Sequence, residues 1–376
     1  MRLRNNLRNK MIAGIASCAL LVTAFSLRGQ NPLQAQQNVP QNQRQIQATP
    51  LPQDIDPSDP ALPAWMHSAT PLAAATSTPA PGNDGEVTKK GGRFVYRQQV
   101  DEVTLQATVM DQKRHLVTTL ASKDFVIYED GRPQQITSFR REDIPVSIGM
   151  VVDNSGSMLL KRNAVTKAVM NLVQASNPDD EVFIVNFNED PYLDQDFTNQ
   201  IDLMREALEH VVARSFTRLY HAVIASADHL AQGARREKKV LLVITDGDDN
   251  GSLESLEETV RALQNDKGPI IYSIGLLSKE DKPRTAKRAL EALSLQTGGV
   301  AFFPKSLEEV DEISREVARD IRNQYTITYK TTNPRTNGGY RIVRVEAHAP
   351  GYTNLQVRTR SGYFAGEPAK AVSTNR

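Results

Sequence analysis

The chain has 376 residues and a formal net charge of +1, long enough for two domains with sizeable cores besides its tails. Acidic and basic residues are interspersed, and aromatic residues make up only 6% of the chain. This composition excludes a basic stripe for nucleic acid and a platform of aromatic side chains for stacking bases.

The first 35 residues have the pattern of a secretory signal. Four basic residues lie within the first ten, and a largely apolar run, 11–26, follows that is short for a membrane span. We expect cleavage after Ala35, with an uncleaved N-terminal anchor as the alternative. The stretch Ile15–Cys18, which ends in the only cysteine, faintly resembles a lipoprotein acylation box. The expected location is secreted, periplasmic or cell-envelope, with membrane contact only through such an anchor.

Residues 36–92 are predicted to be a disordered linker. The segment is rich in Pro, Gln, Ala and Thr and has no sustained apolar period. Such a composition cannot bury enough apolar surface to offset the entropy lost on ordering the chain.

Alternating apolar and polar residues predict antiparallel strands on both sides of the central region. The pattern is clear at 103–109 and again within 325–364, and Asp130-Gly131 is a hairpin turn signal. Each half by itself is too small to bury a core. We therefore predict that residues 93–143 and 325–364 form one antiparallel β-sandwich module, followed by a disordered tail at 365–376.

Residues 144–324 alternate between buried-strand and amphipathic-helix patterns. Strands are predicted at 148–152, 182–185, 240–244, 270–274 and 300–303, and helices at 159–175, 201–212, 219–231, 253–263, 284–295 and 307–322. Leu160 is assigned to the apolar stripe of the first helix. The alternation predicts an α/β fold with right-handed crossovers and a doubly wound, mostly parallel sheet.

Polar residues interrupt this pattern at three places. Asp153, Ser155 and Ser157 follow the first buried strand, Thr217 opens a helix, and Asp246 ends the strand at 240–244. Ligands of open α/β sheets bind at the carboxyl ends of the strands. Carboxylates and hydroxyls suit Mg²⁺ or Mn²⁺ rather than Zn²⁺. Taken alone, the first loop is also explained as a simple turn that caps a helix.

The three loops together resemble the metal-ion-dependent adhesion site of the von Willebrand factor A domain, which uses a D-x-S-x-S loop, a distant Thr and a distant Asp. The resemblance implies that one Mg²⁺ or Mn²⁺ is held by Asp153, Ser155, Ser157, Thr217 and Asp246. The fold that it implies is that of the A domain at 144–324.

A second resemblance covers residues 93–364. The run Phe125–Gly131, followed by Gln134 and Phe139, is similar to the segment before the A domain in a group of secreted bacterial proteins, the VWFA-related group frequent in Acidobacteria. Integrin β-type members carry an acidic pair after the first loop for a second ion. Here 158–162 contains no acidic residue, so no second metal site of that kind is expected.

The predicted function is metal-dependent binding or adhesion outside the cytoplasm. Two carboxylates and three hydroxyls would leave a coordination position open for an Asp or Glu of a protein or peptide partner. An enzyme is not expected, because the chain has no phosphate-binding Gly-rich loop, no paired histidines and no base beside the serines. Two alternatives remain: a structural subunit of a cell-envelope complex with a vestigial metal site, and, less favoured, a metal-dependent hydrolase.

Overall fold

A computed structural model describes residues 85–90, 93–98, 101–141, 143–209, 216–247, 249–277 and 283–366. All of them belong to one compact unit of the chain. The predicted signal segment, most of the predicted linker and residues 367–376 of the predicted tail lie outside these residues. Within the described part, no helix is long and apolar enough to cross a membrane.

Strands and helices alternate through the middle of the chain and strands flank them on both sides. The strands are β1 (Gly85–Lys90), β2 (Arg93–Gln98), β3 (Glu102–Met110), β4 (Phe125–Glu129), β5 (Arg132–Arg140), β6 (Val146–Asp153), β7 (Glu181–Phe187), β8 (Pro191–Thr198), β9 (Lys238–Thr245), β10 (Ile270–Gly275), β11 (Ala301–Phe302), β12 (Tyr325–Lys330), β13 (Tyr340–Ala347), β14 (Gln356–Arg358) and β15 (Gly362–Phe364). The helices are α1 (Arg162–Ala175), α2 (Ile201–Glu209), α3 (Leu219–Gly233), α4 (Leu256–Leu263), α5 (Pro283–Thr297) and α6 (Glu309–Arg322).

The central region is a six-stranded sheet in the order β11–β10–β9–β6–β7–β8. Every neighbouring pair is parallel except β7 with β8. This confirms the mixed α/β fold with a mostly parallel sheet. The antiparallel edge strand β8 was not predicted. Most of its side chains are exposed, so its sequence has little of the apolar alternation that indicates a half-buried strand.

Both faces of this sheet are covered, which is why β6 is buried at every position. One face packs against α1, α2 and α6, and the other against α3, α4 and α5. Gly149 lies where β6 passes close to its neighbours. A Cβ built there would come within 2.3 Å of the Phe183 ring and 2.4 Å of Leu241 Cδ2, so any larger residue would force both side chains to move.

Two helices begin later than the sequence predicts. Residues Gly156–Met158 form a 3₁₀ turn, and α1 begins only at Arg162, so Leu160 is exposed and its assignment to the buried stripe of the helix is wrong. Similarly, α4 begins after Ser255, whose hydroxyl accepts the amide of Glu258 at 3.2 Å in a capping box. Local hydrogen bonding in the turns decided both boundaries.

The flanking strands form one seven-stranded antiparallel sheet in the order β14–β3–β12–β5–β4–β13–β15. β12 pairs with both β3 and β5, and β13 pairs with β4, so the segments on either side of the α/β region do share a sheet, as predicted. The predicted flanking β-sandwich is therefore supported in part, because its strands belong to one continuous sheet. The single sheet curls until β13 contacts β14, and it buries one apolar cluster on its inner face.

β1 and β2 form a separate antiparallel pair. β1 lies inside the segment that composition assigns to the linker, so the strand region begins before the predicted boundary at residue 93. The sequence between the two strands is Gly91-Gly92, a two-residue hairpin signal. The composition averaged over the predicted linker, 36–92, does not reveal a signal of only two residues.

A buried carboxylate stabilises the inside of the curled sheet. Glu129 accepts the hydroxyls of Tyr329 at 2.5 Å, Tyr363 at 2.8 Å and Thr331 at 2.5 Å. The Arg341 guanidinium lies 3.5 Å away and is itself buried. Because these five residues come from β4 and from the segments around β12, β13 and β15, the network ties both halves of the sheet together.

Asp320 of α6 is the shared acceptor where the α/β region meets the antiparallel sheet. It accepts Thr108 Oγ1 of β3 at 2.9 Å and the Tyr272 hydroxyl of β10 at 2.6 Å. It also accepts the guanidinium of Arg358 of β14, and all four side chains are buried. The contact fixes the two regions to each other through a charged pair that water cannot screen.

We expect Asp320→Ala to lower the free energy of unfolding by about 3–5 kcal/mol, because the buried Arg358 guanidinium would lose its carboxylate. Urea unfolding followed by circular dichroism measures the change. Asp202→Ala, which removes an exposed pair with Arg205, is the control and should leave the stability nearly unchanged. A loss below about 1 kcal/mol for Asp320→Ala would contradict the role given to this pair.

Lys238 at the start of β9 is buried and donates to the Ile321 carbonyl. Burial lowers the pKa of Lys238 to about 8, although Asp320, Asp143 and Asp180 act in the opposite direction. The unfolded chain, with its ordinary lysine pKa, therefore binds more protons than the folded chain between those two pKa values. Within that window the folded state gains stability as the pH rises.

We expect this gain to vanish in Lys238→Met. The stability difference between wild type and variant should shift in favour of the wild type by up to about 1.4 kcal/mol per pH unit above pH 8. Urea unfolding of both proteins from about pH 7 to about pH 10 measures it. The exposed Lys287→Met serves as control, and a pH-independent difference for Lys238→Met would contradict the prediction.

Candidate metal and ligand site

β6 delivers Asp153 to the carboxyl edge of the parallel sheet. The strand ends at Asp153, between β7 and β9, and the next amide, that of Asn154, donates to the Phe187 carbonyl at 2.7 Å. Asp153 is only 1% exposed. The sheet therefore holds a carboxylate at a fixed position, almost out of reach of bulk water.

The two serines are arranged by the turn that follows. The Ser155 amide donates to Asp153 Oδ1 at 2.7 Å, and the Ser155 and Ser157 hydroxyl oxygens lie 3.1 Å apart. Ser155 is buried, whereas Ser157 is exposed. The D-x-S-x-S spacing thus brings both hydroxyls to one side of the turn.

Asp246 meets this turn from the end of β9. The Ser157 hydroxyl donates to Asp246 Oδ1 at 2.8 Å, and the Thr245 hydroxyl donates to Asp153 Oδ2 at 2.6 Å. Four of the five predicted residues therefore form one hydrogen-bonded cluster: Asp153, Ser155, Ser157 and Asp246. Thr245 was not predicted as a site residue, because a buried Thr at a strand end carries no signal of its own.

Thr217 lies on the adjoining loop. Its amide donates to Asn250 Oδ1 at 2.9 Å rather than to a residue of the cluster, and the Asn250 amide donates back to the Thr217 carbonyl at 3.0 Å. Among the described residues, no hydrogen bond joins the Thr217 hydroxyl to the other four predicted ligands. The structure thus places the Thr217 backbone against the loop after Asp246 without bonding its side chain into the cluster.

Asp249 shapes the same loop. Its carboxylate accepts the Tyr220 amide at 3.3 Å and the Ser252 hydroxyl at 2.6 Å. The Ser252 hydroxyl in turn accepts the His221 amide at 3.1 Å. Asp249 therefore satisfies amides at the start of α3, where an anion is also favoured by the helix dipole.

The two carboxylates of the cluster, Asp153 and Asp246, have different electrostatic surroundings. Burial raises the pKa of Asp153, hydrogen bonds from Thr245 and Ser155 lower it, and the nearby Asp246 carboxylate raises it further. Asp246 has a cationic partner, since Lys161 Nζ lies 2.5 Å from its Oδ2 and 3.1 Å from the Leu276 carbonyl. A cation at this edge of the sheet is thus already favoured by the protein's own charges. Sequence patterns did not single out Lys161, which precedes α1.

The donor set fits a hard divalent cation. It consists of carboxylate and hydroxyl oxygens, and the 3.1 Å between the serine hydroxyls is close to the roughly 3 Å that separates neighbouring ligands of octahedral Mg²⁺. No cluster of three or more His, Cys, Asp and Glu that could hold a metal occurs in the described part of the chain. A site here would therefore depend on hydroxyls as well as on its two carboxylates.

The family model of the von Willebrand factor type A domain matches residues 148–248. No curated protein matches the chain. Solved structures with a similar fold include proximal thread matrix protein 1 from the mussel byssus, at 16% identity over 47% of this chain and 48% of that chain, with a TM-score of 0.40. The chain thus spans about half the length of that mussel protein.

Two further structures are similar over different shares of the chain. A von Willebrand factor type A protein from Catenulispora acidiphila has 13% identity over 70% of this chain and 75% of that chain, with a TM-score of 0.40. The vWF domain of the type V pili tip protein Mfa5 from Porphyromonas gingivalis has 11% identity over 48% of this chain and 97% of that chain, with a TM-score of 0.37. The family match covers all five predicted ligands, so the region that carries them is similar to a von Willebrand factor type A domain.

Proposed function

We propose that the chain is a binding or adhesion protein that acts outside the cytoplasm and engages an acidic residue of a protein or peptide partner through one Mg²⁺ or Mn²⁺. The observation that carries the proposal is the hydrogen-bonded cluster of Asp153, Ser155, Ser157 and Asp246 at the carboxyl edge of the sheet. The extracytoplasmic location rests on the signal-like pattern of the first 35 residues.

Asp153, Ser155, Ser157, Asp246 and Thr217 would hold the ion. When bound, it supplies an electrophilic position that accepts a partner's carboxylate oxygen. Asp153 and Asp246 neutralise its charge, and the serine hydroxyls, now hydrogen-bonded to each other and to Asp246, present their lone pairs. Ser157 is exposed, which leaves the side of the cluster that a partner would approach open to solvent.

Binding is favoured over hydrolysis by the neighbours of the two serines. The Ser157 hydroxyl donates to Asp246, whose other oxygen is held by Lys161, so no neutral base is poised to activate it. His221 lies next to the Thr217 loop, but its ring nitrogen faces Glu254 at 3.6 Å. Among the described residues, the two serine hydroxyls contact carboxylates and each other, and no histidine base contacts them.

Metal binding is tested through Asp153. Wild-type protein should gain ~2.7 kcal/mol of stability with Mg²⁺ at about a hundredfold excess over its dissociation constant. Asp153→Asn keeps the volume and one acceptor but removes the charge, so it should lose this response. Melting curves with Mg²⁺ and with EDTA measure the effect.

Asp180→Asn is the matched control for this experiment. Asp180 is also buried, with a pKa that burial raises to about 6, but it accepts the amide of Val146 at the opposite end of β6. It should change the baseline stability and keep the full response to Mg²⁺. An equal response in wild type and Asp153→Asn would favour the alternative of a structural subunit with a vestigial metal site.

Lys161 tests the charge balance of the same cluster. Lys161→Met removes a positive charge that competes for Asp246 Oδ2, so Mg²⁺ should bind about tenfold more tightly, ~1.4 kcal/mol. Isothermal titration of Mg²⁺ into both proteins measures the affinity. Lys167→Met, which removes an exposed lysine paired with Asp311, is the control. Weaker binding by Lys161→Met would show instead that Lys161 orients Asp246 for the ion.

A further inference from the structure

The most exposed large apolar side chains of the described residues lie on the loops that carry or adjoin the predicted ligands. Leu253 is 96% exposed, Leu160 95%, Phe216 54% and Leu159 53%. Every other exposed large apolar side chain in the described part is less than half exposed, such as Ile342 at 47%. We call these four residues the apolar rim.

Local structure keeps the apolar rim out of the core. Leu159 and Leu160 lie in the turn between the 3₁₀ segment and α1, so no helical face turns them inward. Leu253 precedes Ser255, the cap of α4, and therefore stands outside that helix. Exposed apolar side chains cost solubility and contribute nothing to folding, so such a concentration marks a contact surface.

The rim residues sit on loops that hydrogen bonds join around Asp246. Leu159 and Leu160 lie between Ser157 and Lys161, both of which donate to Asp246. Phe216 directly precedes Thr217, which is bonded to Asn250 in both directions.

The loop that follows Asp246 contacts the loop of Phe216 and Thr217 at Gly251. A Cβ built at Gly251 would lie 3.7 Å from Phe216 Cβ and 2.9 Å from Arg218 Cγ. Leu253 follows two residues later. Each of the three loops that meet at the polar cluster therefore carries at least one exposed apolar side chain.

Charge at this surface selects an acidic partner. Lys161 lies at the cluster, and Arg218 beside Phe216 is partly exposed and pairs with the exposed Asp190. With a divalent cation bound, its two charges and that of Lys161 would exceed the charges of Asp153 and Asp246 by one, so the centre of the surface would be positive. An apolar surface with a positive centre is complementary to a carboxylate flanked by large apolar side chains.

We propose that the apolar rim binds a protein segment in which one Asp or Glu is flanked by large aliphatic or aromatic residues. This inference deepens the proposed function and rests on it, since the acidic residue is the one that reaches the metal. The flanking side chains bury the apolar rim, and their contribution to affinity comes from removing both apolar surfaces from water.

The test uses three short synthetic peptides of equal length: one with Asp between Leu residues, one with Asn in place of the Asp, and one with Ser in place of the Leu residues. Fluorescence anisotropy measures their binding to the full chain with Mg²⁺ and with EDTA. The wild type should bind the Leu-flanked acidic peptide at least about tenfold more tightly than the Ser-flanked one, ~1.4 kcal/mol.

The double variant Leu160→Ser, Leu253→Ser should lose this preference. Because both side chains are almost fully exposed, their replacement leaves the core untouched. Ile342→Ser, an exposed position on β13 of the antiparallel sheet, is the matched control and should keep the preference. Melting temperatures of all three proteins confirm that the folds are intact.

The outcomes separate this inference from the proposed function. If EDTA releases both acidic peptides equally and the double variant binds as the wild type does, the metal site stands and the apolar rim is overturned. If the Leu-flanked preference persists in EDTA and in Asp153→Asn, the rim stands and the metal-dependent function falls. If none of the peptides binds at millimolar concentration, the inference is overturned. It is also overturned if the apolar rim binds phosphatidylcholine vesicles and not the peptide.

Discussion

The hydrogen bond from the Thr245 hydroxyl to the Asp153 carboxylate, 2.6 Å long, is the contact on which the candidate site depends. It joins the ends of the two central strands, β6 and β9, and supplies one of the few donors that a carboxylate so deeply buried can reach. With one oxygen held in this way, the other is free to receive the Ser155 amide and so to set the turn that carries both serines. The geometry of the cluster thus follows from the need to satisfy a buried charge.

The strands around the α/β region give that site a rigid support. The chain leaves the antiparallel sheet after β5, forms the α/β layers, and returns as β12 between β3 and β5. Because a central strand of the antiparallel sheet is formed by the returning chain, that sheet cannot be completed without the segment that follows the α/β region. The buried contacts of Asp320 with Arg358, and of Glu129 with Tyr329, reinforce this interlocking where apolar packing alone would allow sliding.

The candidate site combines polar groups that are hydrogen-bonded with neighbouring apolar side chains that are exposed to solvent. Each oxygen of Asp153 and Asp246 accepts at least one donor, including the ammonium of Lys161. The leucines on the neighbouring loops have no comparable partners and stand in water. An arrangement of this kind suits recognition of another surface, where the centre provides direction and the surround provides buried area.

The amino-acid sequence by itself determined the mostly parallel sheet, the antiparallel strands on either side and the residues that gather at the sheet edge. Those features rest on apolar periodicity and on polar residues at strand ends, both of which are local. Only the tertiary structure decided that Thr245 bonds Asp153, that Lys161 reaches Asp246, that the flanking strands make one curled sheet and that Leu160 is exposed. Each of these depends on which strands become neighbours or on where a turn gives way to a helix. Such outcomes come from contacts between residues distant in the chain or from competition among local hydrogen bonds, and no periodic pattern records them.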